Sequence, residues 1–472
     1  MDKQTLFNTL ERLNRRLPLH MPGHKRNILH TPDLPWKLDT TETEGLDDLH
    51  APQGVLRDGM ARAARLWGSE HARYLVGGST GGILAALHAL LPRRGRALVA
   101  RNCHKSVYHA LELLEAIPSY LLPSTDGSTG LAGSITPKKV EDGLAACPDT
   151  KVVVLTSPTY DGVISDVAAI AQICHRRGIP LLVDEAHGAH LGHSPFPGGA
   201  VAAGADVVVH SLHKTLPSLT QTGIIHWQGE RVDGRRLCRS LEVFQTSSPS
   251  YPLMASLDGC IRLLEEEGEA LSARWWEGLA AFDRAIVPLQ HLKVLCHGEE
   301  RKDEHPAFWG FDPSKLLIFS GDTPLSGVQL MARLREEYNM ELEMAGRGYA
   351  LAMTGMGDDP YTLKRLADAL LSMDAGMTKG ERAFALSPWE VPVFLCPAAQ
   401  ALEYPAAPLP VEQAVGHMAA EYLWAYPPGI PLLVPGERVE EGFPALLESY
   451  RQAGISLRHS GGCGQEELLV CL

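Results

Sequence analysis

The stretch from Arg73 to Trp227 admits few architectures, because short β-branched apolar runs alternate there with segments of helical period. Strands are expected at Arg96–Ala100, Ser119–Leu122, Lys151–Thr156, Pro180–Asp184, Asp206–His210 and Gly223–Trp227. Helices are expected between them at Gly82–Leu91, Ser106–Ala116, Pro137–Ala146 and Asp166–Arg177. The last carries Val167, Ile170, Ala171 and Cys174 on one face and Gly178 as its stop signal. Runs such as Val207-Val208-Val209 have no polar alternate position, as in a strand covered on both faces. Alternation of this kind predicts an α/β fold built on a mostly parallel sheet.

At 472 residues the chain exceeds what one core fills, so several units are expected. An N-terminal arm is expected over 1–70, a large domain over 71–300 and a small α+β domain over 301–385. A proline-rich linker and a C-terminal domain are expected over 386–472. The net charge of −13 argues against non-specific nucleic-acid binding, and no apolar run reaches the roughly 18 residues that span a bilayer. The first twenty residues read as a charged amphipathic helix without the apolar core of a signal peptide, so a cytoplasmic protein is expected. Nine scattered cysteines without a C-x-x-C pair point to neither a disulfide framework nor a zinc site.

Open α/β sheets bind ligands beyond the carboxyl ends of their strands. The glycine-rich run Val76–Gly82 feeds a helix N-terminus, where backbone amides and the hydroxyls of Ser79 and Thr80 suit a phosphate or simply cap the helix. Asp184 ends an apolar strand, where a carboxylate is costly without a cation or donors. His104 follows another strand end and could lie flat on an aromatic ring. Lys214, thirty residues beyond Asp184, follows a third, and a desolvated amine there is a usable nucleophile. His187 and His190 imitate a metal site beside Asp184 and Glu185, but the set is compact and local, and no metal is expected. Phosphate loop, stacking ring, carboxylate and lysine together are what pyridoxal phosphate requires.

Seven segments make the resemblance specific: "LPLHMPGHKR", "DTTETEGLDDLHAPQGVL", "RNCHKS", "SPTYDGV", "VDEAHGAHLG", "HSLHKTLPSLTQTG" and "YPPGIPLLVPGE". With them the chain resembles the prokaryotic ornithine/lysine/arginine decarboxylases, enzymes of the aspartate-aminotransferase-like fold. The resemblance implies a pyridoxal-phosphate domain, a smaller α+β domain and a C-terminal decarboxylase-type domain. It makes Lys214 the Schiff-base lysine, His104 the stacking residue, Asp184 the partner of the ring nitrogen and Ala186 the small residue under the opposite face. Ser79, Thr80 and Gly81 fall on the phosphate loop, with Ser211 and His213 as further ligands, although glycines stand where the family has Asn and more hydroxyls. His213 and Lys214 are the candidate proton donors. Thr246 or Ser247 would reach the phosphate of a neighbouring subunit, so a homodimer is implied, with a tetramer as the larger alternative. The receiver-like N-terminal domain of the long family members is not expected, since "HMPGHK" starts at His20.

For the substrate, the acidic cluster Glu42, Glu44, Asp47 and Asp48 suits a cationic side chain, and Tyr160 and His187, each just past a strand end, are further candidates. Arginine is the favoured substrate, then lysine, then ornithine. Two other readings stay open: an aminotransferase, with Arg347 gripping the substrate carboxylate, and a catalytically silent, cofactor-binding regulator.

Overall fold

Seven strands build the main sheet of the computed structural model, which describes residues 17–19, 47–295, 305–380, 392–425 and 429–472. They are β1 (His71–Leu75), β2 (Arg96–Ala100), β3 (Ile117–Leu121), β4 (Thr150–Thr156), β5 (Leu181–Asp184), β6 (Val207–His210) and β7 (Gly223–Trp227). Their spatial order is β1-β7-β6-β5-β4-β2-β3. Neighbours from β3 to β6 pair parallel, whereas β7 runs antiparallel to both β6 and β1. Every residue of β5 and β6 is buried, as strands without a polar alternate must be. The expected strands thus recur with ends shifted by at most two residues, and β1 is an addition to them.

Helices α1 (Val55–Trp67), α2 (Gly78–Leu90), α3 (Lys105–Leu113), α4 (Pro137–Ala146) and α5 (Val167–Arg176) connect or flank these strands. Each boundary has a local cause. Thr136 caps α4 and Asp166 caps α5 by accepting a first-turn amide, and Gly178 turns the chain at φ +68° after α5. Helix α2 starts four residues earlier than expected, so the glycine loop is itself the first helical turn.

A one-turn α6 (Leu212–Thr215) and α7 (Gly234–Phe244) precede the long α8 (Tyr251–Ala285). The 35 residues of α8 span about 50 Å and join the two larger units. Its first half buries Met254, Leu257 and Ile261, and its second half buries Trp275, Leu279 and Phe282. Trp275 Nε1 donates to Thr354 Oγ1 at 2.9 Å, which anchors the helix to the small unit.

That unit is an antiparallel sheet of β8 (Lys293–Leu295), β9 (Lys315–Phe319), β10 (Met344–Ala345) and β11 (Tyr349–Met353), ordered β8-β9-β11-β10. Helices α9 (Gly327–Tyr338) and α10 (Pro360–Ala375) belong to it, and Ser326 and Gln329 form a capping box at the start of α9. In the C-terminal unit β12 (Ala406–Pro410) pairs with β16 (Glu467–Cys471), so the end of the proline-rich stretch is an edge strand. The remaining strands, β13 (Leu423–Ala425), β14 (Ile430–Leu433) and β15 (Leu457–His459), form a second sheet beside α11 (Phe443–Gln452).

Candidate active site

Loops leaving the carboxyl ends of β2, β4, β5 and β6 carry His104, Tyr160, the Asp184–His187 run and the Ser211–Lys214 run respectively. The register aligns these ends, with Thr156 opposite Asp184 and Asp184 opposite Val209. Lys214 lies in α6, and its Nζ is 2.9 Å from His187 Nε2 and 6.0 Å from the centre of the Tyr160 ring. Tyr160 and His187 pack at 4.4 Å between ring centres, and the Tyr160 hydroxyl donates to Glu343 of the small unit.

Burial governs the electrostatics here. It drives the Lys214 amine below its ordinary basicity, although the charges of Asp184 and Glu343 oppose it. It raises the Asp184 carboxyl, against the pull of Lys214 and an amide bond from Ala186 at 3.1 Å. His104 is pushed down to about 3, first by burial and then by the charges of Lys214 and Lys105. Its Nδ1 lies 3.3 Å from the Ser106 amide and 2.9 Å from Ser106 Oγ, an arrangement that caps α3 and sets the ring's orientation. His187 is also held well below its usual range by burial and by two lysines, so it is neutral.

The glycine loop is braced from two sides. Gln245 accepts the Val76 amide at 3.0 Å, Gln221 donates to the Val76 carbonyl at 2.7 Å, and the Gln221 carbonyl accepts from Gly78 at 2.9 Å. His213 Nδ1 donates to the carbonyl of the next residue, Thr222, at 2.9 Å, so α6 and the glycine loop hang on one dipeptide. Ser79 and Thr80 stand in the first turn of α2, and Gly81 is buried behind them. Ser211 Oγ is buried without a hydrogen-bond partner among the described residues, an unusual cost for a hydroxyl.

These groups fit pyridoxal phosphate. The orphaned Ser211 hydroxyl and the free amides of a helix N-terminus match a phosphate. A buried carboxylate matches a protonated ring nitrogen, and a neutral imidazole matches a ring face.

Other sequence-predicted residues lie elsewhere or serve other partners. Glu42 and Glu44 fall outside the described residues. Asp47 is buried and accepts from the backbone amides of Gln53, Gly54 and Leu56 at 2.8–3.0 Å. Burial opposes its ionisation, but these donors hold its carboxyl below the usual range, and it organises the turn before α1. Thr246 and Ser247 are exposed, and the Thr246 carbonyl lies 2.9 Å from His50 Nε2. Arg347 donates to Ser449 Oγ at 3.2 Å and stacks over Tyr450 at 5.3 Å, both in the C-terminal unit. Among the described residues no group of three His, Cys, Asp or Glu is placed to hold a metal ion, and no helix is long and apolar enough to cross a membrane.

Three features of the surroundings had no legible signal in the sequence. Glu343 and Lys315 come from the small unit, and Lys315 Nζ lies 3.4 Å from His187 Nδ1. Arg101, which opens the loop bearing His104, is wholly buried against Glu437 of the C-terminal unit, with contacts of 2.9 and 3.1 Å. The same guanidinium donates to the Pro431 carbonyl at 2.7 Å, and the Lys105 amide donates to the Gly429 carbonyl at 3.2 Å.

A family model described as Orn/Lys/Arg decarboxylase, major domain, matches residues 31–317, and the C-terminal domain model of the same family matches 398–454. The chain belongs to the Orn/Lys/Arg decarboxylase family. It is 32% identical over 468 residues to an arginine decarboxylase of Bacillus subtilis, covering 96% of this chain and 94% of that protein. The lysine decarboxylase LdcF of Francisella novicida superposes with a TM-score of 0.76 at 18% identity, over 90% of this chain and 72% of that one. The Sphingomonas wittichii serine palmitoyltransferase is similar in fold at a TM-score of 0.52 and 17% identity, over 67% of this chain and 75% of that one. The chain is a decarboxylase of this family on the α/β fold that its sequence predicts.

Proposed function

We propose that the protein decarboxylates a basic amino acid, arginine before lysine and lysine before ornithine, to the corresponding amine and CO₂, with pyridoxal phosphate as cofactor. The observation that carries this is Lys214, whose amine is desolvated and touches a neutral His187 at 2.9 Å among the strand ends. The preference for arginine rests on the extent of the likeness to the Bacillus subtilis arginine decarboxylase.

In this reading Ser79, Thr80, Gly81, Ser211 and His213 hold the phosphate and Lys214 the aldehyde carbon. When bound, the cofactor supplies an electron-withdrawing ring that accommodates the electron pair left as CO₂ departs. His104 and Ala186 fix the ring plane from its two faces. Asp184 keeps a proton on the ring nitrogen, because a buried carboxylate is best satisfied by that cation. The bond from His213 Nδ1 to the Thr222 carbonyl fixes the tautomer of this imidazole. His213 or Lys214 returns a proton to the substrate's α-carbon. Tyr160 and His187 are the described candidates for the substrate side. A homodimer completed by Thr246 or Ser247 of the neighbouring subunit, and a cytoplasmic location, belong to the same proposal.

The test is to supply the protein with pyridoxal phosphate and, separately, arginine, lysine and ornithine, and to assay CO₂ and amine. Release of both from arginine at the highest kcat/KM is expected. Conversion of the cofactor to its amine form without CO₂ would replace this reading with the aminotransferase.

A further inference from the structure

Lys315 is the one fully buried lysine among the described residues, at 0% exposure where β9 begins. Asp312 Oδ2 lies 4.0 Å from its Nζ, while Asp312 Oδ1 lies 3.0 Å from His190 Nε2 and accepts from the Ser314 amide at 2.9 Å. Burial opposes ionisation of Asp312, but His190 and Lys315 prevail and hold its carboxyl below the usual range. An ionised carboxylate at that distance favours Lys315 as an ammonium, which has three donors and no acceptor. Room for the side chain comes from Gly162, since a Cβ there would stand 2.8 Å from Lys315 Cγ.

The contact of Lys315 Nζ with His187 Nδ1 at 3.4 Å can therefore run in one direction only, from lysine to imidazole. A neutral imidazole that accepts at Nδ1 carries its proton on Nε2. Nε2 faces Lys214 Nζ at 2.9 Å. For this contact to be a hydrogen bond, Nε2–H must donate and Nζ must offer a lone pair, which an ammonium lacks. We infer that Lys315 is a positioning residue that acts through His187 to keep the Lys214 amine unprotonated and ready to attack an aldehyde. This rests on the reading of Lys214 as the cofactor-binding lysine.

Among the described residues the groups facing Lys214 are Asp184 at the end of β5, Glu343 of the small unit, the imidazoles of His104 and His187, and the Tyr160 ring. The two carboxylates favour its ammonium form, and the charge of Lys315 bears on His187 beside it. Because Lys315 belongs to the small unit, the nucleophile is readied only when that unit is seated against the loop after β5. Attack of the neutral amine forms a carbon–nitrogen double bond and releases one water, the amine protons leaving with the aldehyde oxygen.

The test measures pyridoxal phosphate capture by cofactor-free wild type, Lys315→Met and Lys315→Arg, following the absorbance of the lysine-bound form by stopped flow across pH. Wild type and Lys315→Arg are expected to share a midpoint. In Lys315→Met the midpoint should rise by about one pH unit or more, so that capture at pH 7 is about tenfold slower, yet recovers at high pH. Uniform slowing at an unshifted midpoint would reduce Lys315 to a structural role and overturn the inference. Should Lys315→Met not fold, Lys315→Gln removes the charge at similar length, and an unshifted midpoint there is equally fatal. Absence of capture by wild type at every pH would instead remove Lys214 as the cofactor lysine.

Discussion

Among the described residues Asp184 has one amide donor from Ala186 and no side-chain cation in hydrogen-bond contact, which is the wrong environment for a carboxylate unless a cation arrives. Asp184→Asn keeps the shape and removes the charge. The fold should survive, while kcat should drop by on the order of 10²–10³, the usual cost of losing one preorganised electrostatic contact to the transition state. A steady-state rate near wild type would take Asp184 out of the chemistry. Residues of this kind were legible in the sequence, because Asp184 ends an apolar run and His104 and Lys214 each follow one within a few residues. Glu343 and Lys315 were not, since "FDPSKLLIFS" and "NMELEMAG" look like any strand start, and only tertiary packing brings them to Tyr160 and His187.

Helix α2 shows why single glycines matter at the scale of an element. A Cβ on Gly82 would lie 2.5 Å from Leu75 Cδ1 and 3.0 Å from Val209 Cγ1, whereas one on Gly81 would meet only the Phe244 carbonyl at 3.6 Å. Gly82→Ala should push the helix off β1 and β6, cost about 1–3 kcal/mol by overpacking, and weaken cofactor binding. Gly81→Ala should leave the melting temperature close to wild type. Equal stability of the two variants, measured by thermal unfolding, would contradict this packing. The start of α2 was misplaced by four residues because glycine has poor helix propensity, and the tertiary bonds to Gln221 and Gln245 outweigh it. Helix α8 escaped notice for a similar reason: Gly259, Gly268 and Gly278 and the run Glu265-Glu266-Glu267 interrupt a periodicity that two different partners bury.

Across the whole molecule, the Arg101–Glu437 pair ties the C-terminal unit to the loop that carries His104. Both side chains are 0% exposed, so Glu437→Ala leaves a buried guanidinium without its carboxylate. A loss of about 3–5 kcal/mol is expected in denaturant unfolding. A change below 1 kcal/mol would mean that the C-terminal unit is not seated as described. The acid response is a second property of the whole chain. Burial holds His104 at about 3 and His193 at about 4, and keeps His187 and His226 well below their usual range. In the unfolded chain each would take up a proton below about pH 6.5, so the unfolded state binds more protons and stability falls as pH drops through that value. The raised carboxyls of Asp184 and Glu185 work in the opposite sense, gaining stability as they protonate in the fold. His109 is lowered by burial as well, and burial raises Asp161 and Glu437, so five histidines stand against four carboxyls and the melting temperature should fall modestly from about pH 6.5 to pH 5. A flat profile over that range would show that these imidazoles are charged in the fold.

The most direct measurement is to load the protein with pyridoxal phosphate, reduce it with borohydride and locate the modified lysine by peptide mass mapping. Modification at Lys214, abolished in Lys214→Ala, is the predicted result. Modification at Lys315 or at a surface lysine, with Lys214 untouched, would contradict the account of the site.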